Sequence, residues 1–365
     1  MRFTVARGEL LESLSAASRG LSSRSTLPIL SGILVSSKGS EVVFQATDLE
    51  ISVRSSVAAN VEKEGQAVLP GKLISDIVRS LPEAAVTVFL EGDTASIACG
   101  QSSFTVKTLP ADDFPKFPEV SADTQIDVPT KVLSSVASRV SRAVSRDETR
   151  PVLTGVLVVV DGPSLRMVAT DSYRLAVKEI ILEKSGPTLE VVIPGKALDE
   201  VSRLSAGTES VHIGVAENQV SFSFGTTVFV TRRIEGTFPN YKQLIPKETE
   251  TTVLVGREDL YAAVKRVSLL AQQNTPLRLS VSAEDQTLSL SATTQDIGDA
   301  SEDLMVSASG PDVEIAFNHA FLADGLNSTD SESVSVEIVS PLKPGVIRAK
   351  EDEGFLYLLM PVRLG

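Results

Sequence analysis

One pattern recurs along this chain at a fixed spacing, and the spacing decides what the chain can fold into. "ATDLEISVRSS" starts at Ala46 and "ATDSYRLAVKE" at Ala169, 123 residues later. "TLPILSGILV" (Thr26–Val35) is answered by "TRPVLTGVLV" (Thr149–Val158), again 123 apart. "LPGKLISDIVRSL" (from Leu69) and "IPGKALDEVSRL" (from Ile193) are offset by 124, as are "DFPKF" (Asp113–Phe117) and "TFPNY" (Thr237–Tyr241). A weaker third copy follows in the same order: "TPLRLSVS" (Thr275–Ser282), "SATTQD" (Ser291–Asp296), "FNHAFLADGL" (Phe317–Leu326) and a closing "YLLMPVRL" (Tyr357–Leu364). A period near 120 is too long for a solenoid, whose units run to about 20–50 residues. Each copy is therefore a domain, and 365 residues accommodate three. The joins fall near Ser121–Asp123 and Lys247–Thr251, both polar and non-periodic. This predicts domains over 1–121, 122–248 and 249–365.

Each copy reads as strand, helix, strands, helix, strands. Alternation such as "EVVFQATDLEISVRSSVAA" and "VSFSFGTTVFVTRRI" signals strands. Pro-Gly-Lys opens the second helix of the first two copies, where a missing N–H costs nothing. The fold class is α+β, with two helices per domain and more strand than helix. Apolar runs such as Val156–Val160 fall far short of the ~18 residues that cross a bilayer. The beginning "MRFTVARGELL" has no apolar signal core, which points to the cytoplasm. The single cysteine, Cys99, reads as a buried strand residue, and with two histidines a metal site is not expected.

The net charge is −13, which argues against nucleic acid unless the charge is segregated. It is segregated. "KVLSSVASRVSRAVSR" (131–146) reads as one amphipathic helix with Lys131, Arg139, Arg142 and Arg146 on its polar side and no acid. Lys72 and Arg79, Lys196 and Arg203, and Lys265 with Arg266 lie on other predicted helices. Helices sharing one surface would make it basic while strands and loops carry the acid. Such a surface suits phosphate contacts that hold a duplex without reading it.

No catalytic constellation appears. Asp48 and Asp171 occupy equivalent places in separate copies, so they do not form a carboxylate pair across one site. They read as turn-holding residues. There is no G-x-x-x-x-G-K-[ST], no H-E-x-x-H and no G-x-S-x-G. A carbohydrate-binding β protein would use aromatic platforms, yet the chain has no Trp and four Tyr. A monomeric scaffold is the other rival, separable by its mass in solution.

Taken in order, the three copies, "TLPIL", "ATDSYRLAV", "FPNY" and "YLLMPVRL" resemble the bacterial DNA sliding clamp, the beta subunit of DNA polymerase III. The similarity spans the chain. It implies a head-to-tail homodimer of six domains closing around duplex DNA, helices inside and antiparallel sheets outside. It implies a processivity factor rather than an enzyme, with no cofactor, bound to no membrane. Expected partners are duplex DNA, a second copy, the replicative polymerase subunit, the clamp loader, and other polymerases and repair proteins. Arg24, in the family's R-x-T-L-P-I-L loop, joins Lys72, Arg79, Arg139, Arg142, Arg146, Lys196, Arg203 and Lys265 as the DNA-facing set. The resemblance places a pocket for an extended Q-L-x-L-F-like peptide between the second and third domains. Its residues would be Arg150, Leu153, Thr170, Ser172, Tyr173, Arg174, Leu175, Pro239, Gln243, Leu244, Pro341 and Leu342. The tail would add Leu358, Leu359, Met360, Pro361, Val362, Arg363 and Leu364. Leu269 and Leu270 are assigned to the dimer interface, and Asn274 or Thr275 to the pocket edge. Gly365 follows the family's usual terminal Arg-Leu.

Overall fold

The computed structural model describes residues 1–22, 27–271 and 275–363. The first copy runs β1 (Arg2–Ala6), α1 (Arg7–Ala17), β2 (Gly32–Lys38), β3 (Glu41–Thr47), β4 (Ile51–Ala58), β5 (Asn60–Lys63), β6 (Gly65–Pro70), α2 (Gly71–Ser80), β7 (Ala85–Glu91), β8 (Thr94–Cys99) and β9 (Ser102–Lys107). The second runs β10 (Thr124–Pro129), α3 (Thr130–Val140), β11 (Gly155–Thr170), β12 (Arg174–Pro194), α4 (Gly195–Leu204), β13 (Ser210–Val215), β14 (Gln219–Phe224) and β15 (Thr227–Arg232). The third runs β16 (Thr251–Gly256), α5 (Arg257–Val267), β17 (Leu277–Ser282), β18 (Thr287–Thr294), β19 (Gly298–Met305), β20 (Ser307–Ser309), β21 (Val313–Phe317), α6 (His319–Leu326), β22 (Ser333–Ile338), β23 (Gly345–Ala349) and β24 (Phe355–Leu359).

The strands form four antiparallel sheets, ordered β5-β1-β7-β8-β9, β10-β13-β14-β15-β4-β3-β2-β6, β11-β12-β24-β23-β22-β16-β20 and β19-β18-β17-β21. Each copy supplies two halves: one ending in β9, β15 or β24, and one beginning at β4, β12 or β19. The larger sheets arise where halves from successive copies pair. β15 joins β4 with Phe229 opposite Val53, and β24 joins β12 with Leu358 opposite Leu175. The two compact units of the chain therefore divide the middle copy between them. One is Met1–Leu133 with Lys196–Arg233, the other Ser134–Gly195 with Ile234–Gly365. In the first unit, Leu10 and Leu14 of α1 and Ile74, Ile77 and Val78 of α2 pack on Phe3, Phe44, Val88 and Ile97. Burying such a side chain contributes roughly 1.5–3 kcal/mol. Cys99 lies buried in β8.

The repeated Ala-Thr-Asp is a turn. Asp48 Oδ1 accepts the backbone N–H groups of Glu50 (3.0 Å) and Ile51 (2.7 Å). Asp171 Oδ1 accepts those of Tyr173 (2.9 Å) and Arg174 (3.0 Å). The threonine before each aspartate donates to the carbonyl four residues on and accepts the N–H two residues on. These bonds hold Leu49 and Ser172 at φ +77° and +80°. A non-glycine residue there costs on the order of 1–3 kcal/mol, which the local bonds offset. In the third copy Gln295 stands in place of aspartate. The positive φ persists two residues after Thr294, at Asp296 (+64°), while the Thr294 hydroxyl turns to the carbonyl of Leu270.

The expected single helix over 131–146 is corrected. α3 ends at Val140, a 3-10 turn covers Ser141–Ala143, and Val144 is extended. The same break follows α1 at Ser18–Gly20 and α5 at Ser268–Leu270. After α3 the apolar periodicity continues through the break, with Ala143 buried in the 3-10 turn, so periodicity alone overran the helix end.

Candidate functional site

Many of the residues expected to line the peptide pocket gather around β24, which lies between β12 and β23. Side chains alternate across this sheet. Leu175, Val346 and Leu358 face one side, in a cluster with Phe238 and Tyr241 of the "FPNY" loop and with Val152. Leu153 and Thr170 are buried at its margin, and so is Leu359 on the opposite face of β24. These residues are framework. The exposed part is Arg150, Ser172, Tyr173, Pro239, Gln243, Leu244, Pro341, Leu342, Met360, Val362 and Arg363, with Pro361 half-buried. Arg150 is pre-positioned, donating from Nε to Asp147 (2.9 Å) and from Nη1 to the Ser172 hydroxyl (3.0 Å). The tail is tied down, with Met360 N–H donating to the Tyr173 carbonyl (2.9 Å) and Val362 N–H to that of Ala316 (2.8 Å). Leu364 and Asn274 lie outside the described residues. Thr275 contacts the Thr294 hydroxyl (3.4 Å). A separate cavity of about 520 Å³, lined by Glu250, Asp312 and Glu314 among others, shares only Pro341 with this set.

Arg174 is buried, not a pocket-lining cation. Its Nε donates to Asp171 (3.0 Å), its Nη1 to Asp324 (2.5 Å) and to the Tyr357 hydroxyl (3.2 Å), and it lies 4.3 Å over the Phe321 ring. Burial works to lower its pKa, but Tyr357, Asp324 and Asp171 outweigh it and raise the value. Burial also raises the Tyr357 phenol. Gly325 of α6 permits this packing, since a Cβ there would meet the Tyr357 ring at 2.6 Å. Phe321, absent from the expected set, stacks on Tyr173 (6.4 Å, 28°) and makes an aromatic wall beside the tail. Its signal lay in "FNHAFLADGL": an aromatic two residues into a short helix of a chain with few aromatics.

Among the expected DNA-facing residues, Lys72, Arg146 and Lys196 are exposed, and none of them forms an ion pair with another of the described residues. Arg79 and Arg203 are exposed but bound to Asp76 (3.0 Å) and Glu200 (3.1 Å) one turn earlier. Lys265 lies over the Tyr261 ring (5.9 Å). Arg142 is half-exposed and 3.8 Å from Asp324. Arg139 is corrected: its side chain is 13% exposed and fixed between Asp330 (2.7 Å) and Asp352 (3.3 Å). Asp352 is also the partner of the buried Lys178. A wheel drawn on α3 alone cannot reveal carboxylates that arrive nearly two hundred residues later. Arg24 lies outside the described residues.

Two strands that head their halves, β9 and β19, pair on one side only among the described residues. Exposed apolar side chains gather at these edges: Phe104 on β9, and Ile297 and Met305 at the ends of β19. Leu269, 84% exposed, belongs to the 3-10 turn that packs against β18 and β19, and Leu270 is half-buried beside it.

Three family models match in register with the three copies. They are the N-terminal, central and C-terminal domains of the DNA polymerase III beta subunit, over residues 1–118, 127–240 and 242–363. The chain belongs to the DNA polymerase III beta subunit family. The beta sliding clamp of Streptomyces coelicolor is 35% identical over 377 residues, covering 100% of both chains. That of Staphylococcus epidermidis is 35% identical over 374 residues, covering 100% of this chain and 99% of its own. Among solved structures, the Bacillus subtilis DNA polymerase sliding clamp matches with a TM-score of 0.95 at 31% identity, and the Pseudomonas aeruginosa clamp bound to griselimycin with 0.95 at 28%. Both comparisons cover 100% of each chain. The fold is the three-domain clamp fold, antiparallel sheets with few helices. No helix among the described residues is long and apolar enough to cross a membrane.

Proposed function

We propose that this chain is a DNA polymerase processivity factor: a homodimeric ring that encircles duplex DNA and tethers its partners through the surface around Tyr173, Phe321 and the tail. Family membership supports the role. One observation carries the ring, namely that β15–β4 and β24–β12 pair while their counterparts β9 and β19 do not. A second copy supplies the missing pair, and a head-to-tail contact that repeats and closes makes a ring. The three domains, 1–121, 122–248 and 249–365, then give six equivalent segments, supported by the matched segments 1–118, 127–240 and 242–363.

The register of this joint follows from the internal ones. Cys99–Ser102 closes a hairpin as Phe224–Thr227 does, and Thr294 pairs with Gly298 as Thr47 pairs with Ser52. Thr227 lies opposite Ser55, so Ser102 should lie opposite Ser301 of the partner subunit. Lys72, Arg146 and Lys196 form the core of the DNA-facing set; loose phosphate contacts suffice because topology retains the ring. Arg150, Tyr173, Leu244, Leu342, Met360 and Val362 take an extended peptide with apolar anchors, as a tethered polymerase, clamp loader or repair protein would offer. The role calls for no catalytic group, and a soluble protein beside the chromosome would work in the cytoplasm.

The test is a fluorescence-anisotropy titration of a Q-L-x-L-F peptide with the full chain and with one ending at Leu359. Saturable binding lost on truncation is expected, together with retention on circular but not linear DNA. Failure of both would overturn this reading.

A further inference from the structure

Helix α6 carries Phe321 and Asp324 one turn apart, on the same side. The Arg174 guanidinium fits against both: it lies 4.3 Å over the Phe321 ring and donates from Nη1 to Asp324 Oδ2 (2.5 Å). Phe321 in turn stacks on Tyr173, whose carbonyl holds the tail at Met360. The other oxygen, Asp324 Oδ1, stands 3.8 Å from Nη1 of Arg142, a half-exposed side chain in the 3-10 turn after α3. One carboxylate therefore serves two arginines, one beneath the aromatic wall and one on the turn expected to face DNA. The joint between the first two copies shows which of these parts are additions. There Glu200 takes the place of Asp324 and meets Arg19, the counterpart of Arg142, at 3.5 Å. Ile51 stands where Arg174 would be, and Ala197 where Phe321 would be. The pairing of an exposed arginine with a helix carboxylate is common to both joints. The buried arginine and the ring above it occur only where the aromatic wall stands.

We propose that Asp324 is a positioning residue of the peptide site. Its carboxylate fixes Arg174 beneath Phe321 and so sets the wall that Phe321 and Tyr173 present to an extended peptide. Two guanidinium groups compete for its single negative charge. The hold on Arg174 is therefore strongest when Arg142 is drawn elsewhere, as a duplex phosphate would draw it. This rests on the peptide-docking reading and adds to it a residue that acts on the peptide through Arg174 and Phe321.

The experiment is a fluorescence-anisotropy titration of the Q-L-x-L-F peptide with the full parent chain, R142Q, D324N and R142Q/D324N. D324N keeps the shape of the side chain without its charge, and should bind about threefold more weakly than the parent, the size of one ion pair. R142Q leaves Asp324 to Arg174 alone and should bind about twofold more tightly, a gain that a merely structural role for Asp324 does not produce. The gain should vanish between D324N and R142Q/D324N. R142Q binding no more tightly than the parent overturns the inference, whether or not D324N folds. A gain that survives D324N, or a D324N that binds as the parent does, overturns it too. A parent chain that takes up no peptide overturns the docking reading itself.

Discussion

Asp171 serves three donors with one carboxylate: two backbone N–H groups through Oδ1 and the Arg174 guanidinium through Oδ2. Asp48 holds an equivalent turn, but the residue in the place of Arg174 is Ile51. The two aspartates look alike in sequence, and the turn role of both was legible there. What was not legible is the buried cation that only one of them supports. D48A should cost about 1 kcal/mol, the worth of its turn bonds. D171A leaves a buried guanidinium short of a partner and should cost roughly 2–4 kcal/mol. Thermal unfolding of the two variants should rank them so. Because Tyr173 sits on the Asp171 turn, D171A should also weaken partner-peptide binding, which D48A leaves unchanged. The buried share of the pocket set, Leu153, Thr170, Arg174, Leu175, Leu358 and Leu359, was named from family likeness without its depth. Alternation along a strand cannot tell which apolar face a loop such as "FPNY" will cover.

At the scale of elements, α3 shows how a helix read in isolation misleads. Its basic side contains Arg139, which fastens the segments holding Asp330 and Asp352. The hydrogen bond from Arg139 holds the Asp330 carboxyl below the usual carboxylate range. A carboxyl with a depressed folded pKa contributes stability above its unfolded value of about 4, and loses it as pH falls through the lower folded value. R139A should therefore lower the unfolding temperature at pH 7, with the deficit shrinking as the pH falls below about 4. It should leave retention on circular DNA intact. Charge reversal of Lys72, Arg146 and Lys196 together should do the opposite, weakening loading onto DNA and flattening its salt dependence without lowering stability. The helix count, the proline-opened second helices and most strands were readable from periodicity. The helix end at Val140 was not, because the 3-10 turn keeps the same residues inward.

For the whole molecule, the triplication was the most legible feature, since matches in fixed order at constant offset survive even where single residues have drifted. Strand pairing across the copies was not, because nothing local marks β4 as the neighbour of β15. The joint deduced from it can be tested directly. With Cys99, which faces position 102 across its own hairpin, removed by C99A, oxidised S102C/S301C should run as covalent dimers, since directly opposed antiparallel residues lie within disulfide reach, whereas S103C/S301C in the same background should not. The internal joint β4–β15 has a further consequence, for the order in which the protein is made. β4 ends at Ala58 and its neighbour begins at Thr227, so on the ribosome the first copy emerges with a bare strand edge until most of the second has been translated. Until then the nascent chain presents to its surroundings the same kind of unpaired edge that the finished subunit reserves for its twin.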